Sequence, residues 1–303
     1  MRFFLSLIFF CLILALPIKA EEYKLYLLAG QSNMVGLGKN EDLPRAYKGK
    51  INNVMIFHGT TGVDNMPYNP KKFRAGQGKW SKLREGHGGG FSSNGKSNIY
   101  VKRFGAELSF GKTIAELNPN SKIAIIKYAR GATALYNTKE RNNWAEDFEG
   151  LNQYDYALDT IRNAFAISDI DGDGERDTLI PSGIIWMQGE ADSRWVESSN
   201  AYKDNLQRLM NALRAALRLD DVPVVIGKTS NAITKRGKPK LAYGHIVQEK
   251  QKEFAENDVC AHLVSEIDDY KMLPDNLHYT SKSYLRMGED FAKAVHRLEK
   301  KCK

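Results

Sequence analysis

Short, nearly unbroken apolar runs recur along the chain, and between them apolar residues return every third or fourth position. The runs at 23–29, 54–57, 123–128, 183–187, 222–226 and 262–264 have strand length and are rich in β-branched and aromatic residues, as strands buried on both faces require. The three- and four-residue spacing predicts amphipathic helices over about 105–118, 151–166, 201–219, 244–257 and 281–300. Strand and helix in alternation predict an α/β fold with a parallel sheet covered on both sides.

One stretch breaks the rhythm. Residues 59–97 are rich in Gly, Asn and Lys, with Trp80 as the main large apolar residue, and read as a rim loop of the kind that carries function or mobility. Within it His87-Gly88-Gly89-Gly90 is similar to the oxyanion loop of some lipases, but the nucleophile elbow that should accompany that loop is missing. A flexible glycine tract is the expectation. Trp80, Tyr68 and Phe91 are available there to stack on sugar faces. The 303 residues carry 44 Lys+Arg against 36 Asp+Glu, a net charge of +8 without a dense basic block. That pattern argues against a dedicated nucleic-acid binder.

The first twenty residues have their own pattern: Arg2, an apolar run over 3–16, then Pro17-Ile18-Lys19-Ala20 ahead of Glu21. This is the form of a cleavable signal peptide, and the run is shorter than the roughly 20 apolar residues a membrane span needs. The reading is a signal over 1–20, one catalytic domain over 21–303, no stable membrane span after cleavage, and a secreted or periplasmic location. Removal of Cys11 leaves Cys260 and Cys302, either as a disulfide or as one buried and one terminal thiol.

The first strand runs into Gly30-Gln31-Ser32-Asn33-Met34. A serine after a glycine turn at the carboxyl end of a parallel strand sits where open α/β sheets bind ligands, but it needs a base. Asp275-Asn276-Leu277-His278, just before the last helix, offers one. The spacing of three lets the carboxylate fix one ring nitrogen while the other faces the serine. His58 and His245 lack such a partner, and His-based zinc spacing is absent.

With Trp186-Met187-Gln188-Gly189-Glu190 at a middle strand, these motifs resemble the SGNH hydrolases, and more narrowly the sialate O-acetylesterase-like and carbohydrate esterase family 6 acetylesterases. The resemblance extends to Arg103-Phe104-Gly105-Ala106-Glu107 and Lys127-Tyr128-Ala129-Arg130-Gly131. It implies a three-layer α/β/α sandwich, flavodoxin-like, with a five-stranded parallel sheet, and hydrolysis of O-acetyl groups on carbohydrates without a catalytic cofactor. Carried over by motif, Ser32 is the nucleophile, His278 the general base and acid, and Asp275 its orienting carboxylate. The Ser32 and Gly105 N–H groups and the Gln188 side-chain amide become the oxyanion donors. Glu190 is either a second carboxylate for His278 or, the favoured reading, a structural group paired with Arg130 or another base.

A last cluster lies over 169–177. Asp169, Asp171, Asp173 and Asp177, with the Glu175 carbonyl and Gly174 at position 6, repeat the front of a calcium loop, but position 12 is Ile180. The expectation is a structural Ca²⁺ whose shell is completed by water or another part of the chain, against the alternative of a solvated acidic turn. The leading function is thus an exported serine esterase acting on O-acetylated carbohydrate. A non-catalytic sugar-binding relative and a lipid- or thioester-directed esterase of the same fold are the other readings.

Overall fold

The computed structural model describes residues 21–66, 74–137, 142–230, 233 and 237–302. The expected signal over 1–20 and Tyr68 lie outside them. The seven strands of the main sheet are β1 (Glu22–Gly30), β2 (Val54–His58), β3 (Ser81–Lys82), β4 (Lys122–Ala129), β5 (Thr178–Met187), β6 (Val224–Gly227) and β7 (Ala261–Val264). Their spatial order is β7-β6-β5-β1-β4-β2-β3. All neighbours are parallel except β3, a two-residue strand that turns back along β2. The sheet therefore has six parallel strands and a short antiparallel edge, where the resemblance implied five. The physical reason lies in the sequence itself: each of the six apolar runs is buried enough to hold its own place, and β2 is buried at every position.

The helices are α1 (Ser32–Val35), α2 (Glu107–Leu117), α3 (Gln153–Phe165), α4 (Val196–Asn200), α5 (Tyr202–Leu217), α6 (Gly244–Asn257) and α7 (Ser281–Leu298). Side chains of β1 alternate across the sheet, as the two-residue period of a strand demands. Tyr23, Leu25, Leu27 and Ala29 enter one core with residues of α3, α5 and α6. Tyr26 and Leu28 enter the other with residues of α2 and α7. Three layers result.

Two local features fix where helices start. An Asn152–Asp155 capping box starts α3. The Thr280 hydroxyl accepts from the Ser283 N–H to start α7, fixing where the preceding 275–279 turn must end. Cys260 and Cys302 form a disulfide with a Cα–Cα separation of 5.7 Å, fastening the C-terminal end beside β7. Among the described residues no helix is long and apolar enough to cross a membrane.

Candidate active site

The turn that carries Ser32 begins at Gly30, whose φ of +144° is one that side-chain-bearing residues rarely adopt; a Cβ there would lie 2.2 Å from the Met187 carbonyl oxygen. This close approach lets the Gln31 N–H donate to that same carbonyl at 2.9 Å. The chain then turns directly into α1, and Ser32 stands at the carboxyl end of the central strand.

His278 arrives from the turn before α7. Asn276 adopts a φ of +50°, a conformation asparagine tolerates better than most residues. Asp275 Oδ1 accepts from the Leu277 and His278 N–H groups at 2.9 and 3.0 Å, and its Oδ2 accepts from His278 Nδ1 at 2.6 Å. One carboxylate thus shapes the turn and orients the ring. His278 Nε2 is left as an acceptor 3.0 Å from Ser32 Oγ. Burial works to raise the Asp275 pKa, but the bonds from the His278 ring and the two N–H groups outweigh it and hold the carboxyl below its ordinary value. Ser32 and His278, 246 residues apart in the chain, are brought into one line with Asp275.

Glu190 lies next to this line but is not part of it. It is buried, and its Oε1 accepts from Asn33 Nδ2 at 2.7 Å while Oε2 has no partner. Burial raises its pKa, and the Asn33 bond and the nearby His278 oppose the rise. The expected pairing with Arg130 or another base is corrected: a neutral amide, Asn33, holds this carboxylate. Asn33 also donates to the Leu277 carbonyl at 3.1 Å and accepts from the Tyr284 hydroxyl at 3.0 Å.

Two of the expected oxyanion donors are committed elsewhere. The Gly105 N–H donates to Glu107 Oε1 at 2.9 Å. Gln188 is fully buried, and its Nε2 donates to the Thr133 carbonyl at 2.9 Å and to Asp192 Oδ2 at 2.6 Å, which uses both amide protons. These are corrections with one cause: each donor is taken up by a buried carboxylate, Glu107 or Asp192. Asp192 was not singled out in the sequence. Its carboxylate also accepts from the Leu135 and Tyr136 N–H groups, and burial pushes its pKa up to about 6 against those bonds. The Asp four positions after Gln188 was the only local signal available.

A cleft of about 270 Å³ is lined by residues including Val35, His58, Phe91, Arg130 and Gly131. It borders Ser32, since a Cβ on Gly131 would fall 3.5 Å from Ser32 Cβ. The tract from His87 forms part of its wall and is packed, not the flexible tract expected. Gly88 donates to the Arg103 carbonyl at 2.9 Å, Gly89 donates to the Gly36 carbonyl at 2.8 Å, and a Cβ on Gly88 would lie 2.6 Å from Arg103 backbone. His87 and His58 are both buried, with their Nδ1 atoms 3.3 Å apart and Phe91 stacked on each ring. Burial, followed by the charge of Lys127, keeps both rings well below the usual imidazole range and so neutral at pH 7. Trp80 is buried in the core, donating to the Ala164 carbonyl, and is no sugar platform. His245 is exposed.

The acidic loop sits at the other end of β1, about 30 Å from Ser32 for a nine-residue strand. Asp169, Asp171 and Asp177 each bring a carboxylate oxygen within 4.8 Å of the others, and Glu21 forms a second such group with Asp171 and Asp173. Asp177 Oδ1 is buried without a partner. Much of the loop is also satisfied internally: Asp169 accepts from the Gly172, Asp173 and Gly174 N–H groups, and Lys122 pairs with Glu21 and, at 3.3 Å, with Asp171. An all-carboxylate donor set with an orphaned oxygen fits a hard cation such as Ca²⁺.

The chain is similar to known proteins in both sequence and fold. A probable carbohydrate esterase of Arabidopsis thaliana is 29% identical over 117 residues, 37% of this chain and 38% of that protein. The crystal structure of the Arabidopsis protein superposes with a TM-score of 0.59 at 19% identity, covering 91% of this chain and 98% of its own. A carbohydrate acetylesterase from Xanthomonas citri gives a TM-score of 0.60 at 16% identity, over 92% of this chain and 57% of that one. NanS gives 0.56 at 14% identity, over 94% and 99%. At these identities the likeness speaks for the fold, a three-layer α/β sandwich shared with esterases. Residues 22–297 match the family model of the carbohydrate esterase, sialic acid-specific acetylesterase family, and the chain belongs to that family.

Proposed function

We propose that the protein is an exported serine esterase that removes O-acetyl groups from carbohydrates through an acetyl-enzyme on Ser32. The observation that carries this reading is the continuous line from Asp275 Oδ2 through His278 to Ser32 Oγ, with spacings of 2.6 and 3.0 Å. His278 Nε2 takes the Ser32 proton as Oγ attacks the acetyl carbon, and the imidazolium that forms is stabilised by Asp275. It then gives the proton to the departing sugar oxygen, and a water activated by the same nitrogen releases acetate. Negative charge on the carbonyl oxygen needs fixed donors, worth roughly 3–4 kcal/mol each. The Ser32 N–H, at the first position of α1, has no intrahelical acceptor, and the Gly131 main chain borders the same point. The Cys260–Cys302 disulfide supports export to an oxidising compartment.

Among O-acetylated sugars, the proposed substrate is one that carries a carboxylate, as sialates do, rather than neutral acetylxylan. What supports this is Arg130, a half-buried residue of the cleft lining, because a guanidinium is suited to carboxylate recognition. Ser32, His278 and Asp275 are all retained, which weighs against a non-catalytic binding relative. A structural Ca²⁺ on Asp169, Asp171, Asp173, Asp177 and the Glu175 carbonyl completes the proposal; catalysis needs no cofactor.

The test is acetate release from O-acetylated sialate, acetylxylan and p-nitrophenyl acetate by wild type, Ser32→Ala and His278→Ala. Both variants should lose nearly all turnover, and the double variant should be little worse than either single one, because members of one catalytic unit are not additive. A folded Ser32→Ala protein with near-wild-type turnover would remove the nucleophile assignment. Preference for acetylxylan, unchanged in Arg130→Gln, would remove the acidic-sugar reading.

A further inference from the structure

A buried ion pair behind the nucleophile takes no part in the steps above. Lys127, in β4 beside Leu28 of β1, and Glu107, the first residue of α2, are both wholly inaccessible to solvent. The lysine ammonium spends its three protons on Glu107 Oε2 at 2.7 Å, the Val35 carbonyl at 3.0 Å and the His87 carbonyl at 3.0 Å. Glu107 uses its other oxygen on the Gly105 N–H. Gly105 in turn is packed against Gly36, where a Cβ would come 2.1 Å from the Gly105 α-carbon.

Three segments around the reacting serine therefore meet at one charge pair. Val35 is the last residue of α1, His87 directly precedes the cleft-lining Gly88, and Gly105 supports the chain just after α1. A helix of four residues has too few internal bonds to hold its own geometry. Its first end is tied by the Gln31 N–H to the Met187 carbonyl, and its last end by the ammonium. A hydrophobic pair of similar volume would fill the same core at least as stably, but it could not grip three carbonyl and carboxylate oxygens at fixed lengths.

We propose that Lys127 and Glu107 are positioning residues that set the place of Ser32 Oγ relative to His278 Nε2, an inference that rests on Ser32 being the nucleophile. Misplacement by about 1 Å can cost on the order of 100-fold in rate, so the pair governs kcat and leaves substrate binding largely alone.

The experiment compares Glu107→Gln, Lys127→Met and the double variant K127M/E107Q with wild type and Ser32→Ala. Each is followed by thermal melting, by kcat and KM on p-nitrophenyl acetate, and by the rate at which a fluorophosphonate labels the active serine. The double variant leaves no lone buried charge, and the amide oxygen that Glu107→Gln introduces can keep the bond from the Gly105 N–H. It should melt near wild type yet lose roughly 10- to 100-fold in kcat and in labelling rate, with KM little changed. Glu107→Gln, the least disruptive change, should show a smaller fall of the same kind. A folded Glu107→Gln or double variant with wild-type kcat and labelling would overturn the proposal, as would a raised KM at constant kcat. Retained turnover and labelling in Ser32→Ala would instead overturn the nucleophile reading beneath it, so the two failures are told apart.

Discussion

Asn33, the residue after Ser32, donates from its side-chain amide to the main-chain carbonyl of Leu277, the residue before His278, at 3.1 Å. The same nitrogen donates to Glu190 at 2.7 Å, and the amide oxygen accepts from Tyr284. The turn that carries His278 is therefore held by the turn that carries Ser32. Asn33→Ala should lower kcat by about 10-fold or more through a loosened His278, and should destabilise by roughly 1–3 kcal/mol by leaving buried polar groups unpaired. Steady-state kinetics and chemical denaturation read the two effects separately; unchanged kcat would show that the bond does not position the base.

Asp275 and Glu190 make contrasting predictions. Asp275 contacts His278 Nδ1 directly, whereas Glu190 reaches Asn33. Asp275→Asn should lose roughly 100- to 10,000-fold in kcat by favouring the wrong tautomer. Glu190→Gln should lose less, since a neutral amide can replace a buried carboxyl whose pKa is already raised by burial. The opposite ranking, in proteins shown to be folded, would move the orienting role to Glu190.

Asp192 predicts a pH dependence of stability. Its folded pKa, about 6, lies above the ordinary carboxyl value because burial disfavours the charge. The folded state thus binds the proton more tightly than the unfolded one, and this contribution is present below the ordinary value and lost as pH rises towards 6. The loss amounts to roughly 3 kcal/mol over that window. Comparing wild type with Asp192→Asn at pH 4 and pH 7 isolates it. A stability difference that does not change with pH would place the titration elsewhere.

The acidic loop predicts a metal-dependent melt. Calcium should raise the melting temperature with concentration and chelator should lower it, by mass action on the native state. Activity at low temperature should survive chelation, because the loop lies a full strand length from Ser32. Asp171→Asn combined with Asp173→Asn should erase the calcium dependence. No calcium-dependent shift in wild type would leave Lys122 as the counter-charge on which the loop relies.

The disulfide links residues 42 apart in sequence. Cys302→Ser should cost roughly 2–4 kcal/mol, chiefly by releasing a constraint on the unfolded chain. Kinetics at low temperature should be little altered, since the bridge lies by β7 and the C-terminal end. Equal denaturation midpoints for oxidised wild type and Cys302→Ser would mean that the bridge adds nothing to stability.

The chain's own pattern determined the layered α/β frame. Apolar runs over β1, β2, β4, β5, β6 and β7, and three- and four-residue spacing over α2, α3, α5, α6 and α7, are local signals that survive folding because burial on a sheet or a helix face is periodic. Ser32, Asp275 and His278 were legible for a chemical reason: a serine needs a base, and a spacing of three lets Asp275 reach His278 within one turn. Tertiary structure alone decided where the remaining donors point. Gly105 and Gln188 were expected at the oxyanion, but Glu107 and Asp192 capture them, and nothing in the periodicity marks either carboxylate as their partner. Lys127 stands inside an apolar run, where a strand pattern shows only an interruption. Its three acceptors come from segments 20 to 92 residues away. A hydrogen-bond donor inside the protein takes whichever acceptor the packed chain brings within about 3 Å, and that choice is made by contacts distant in sequence.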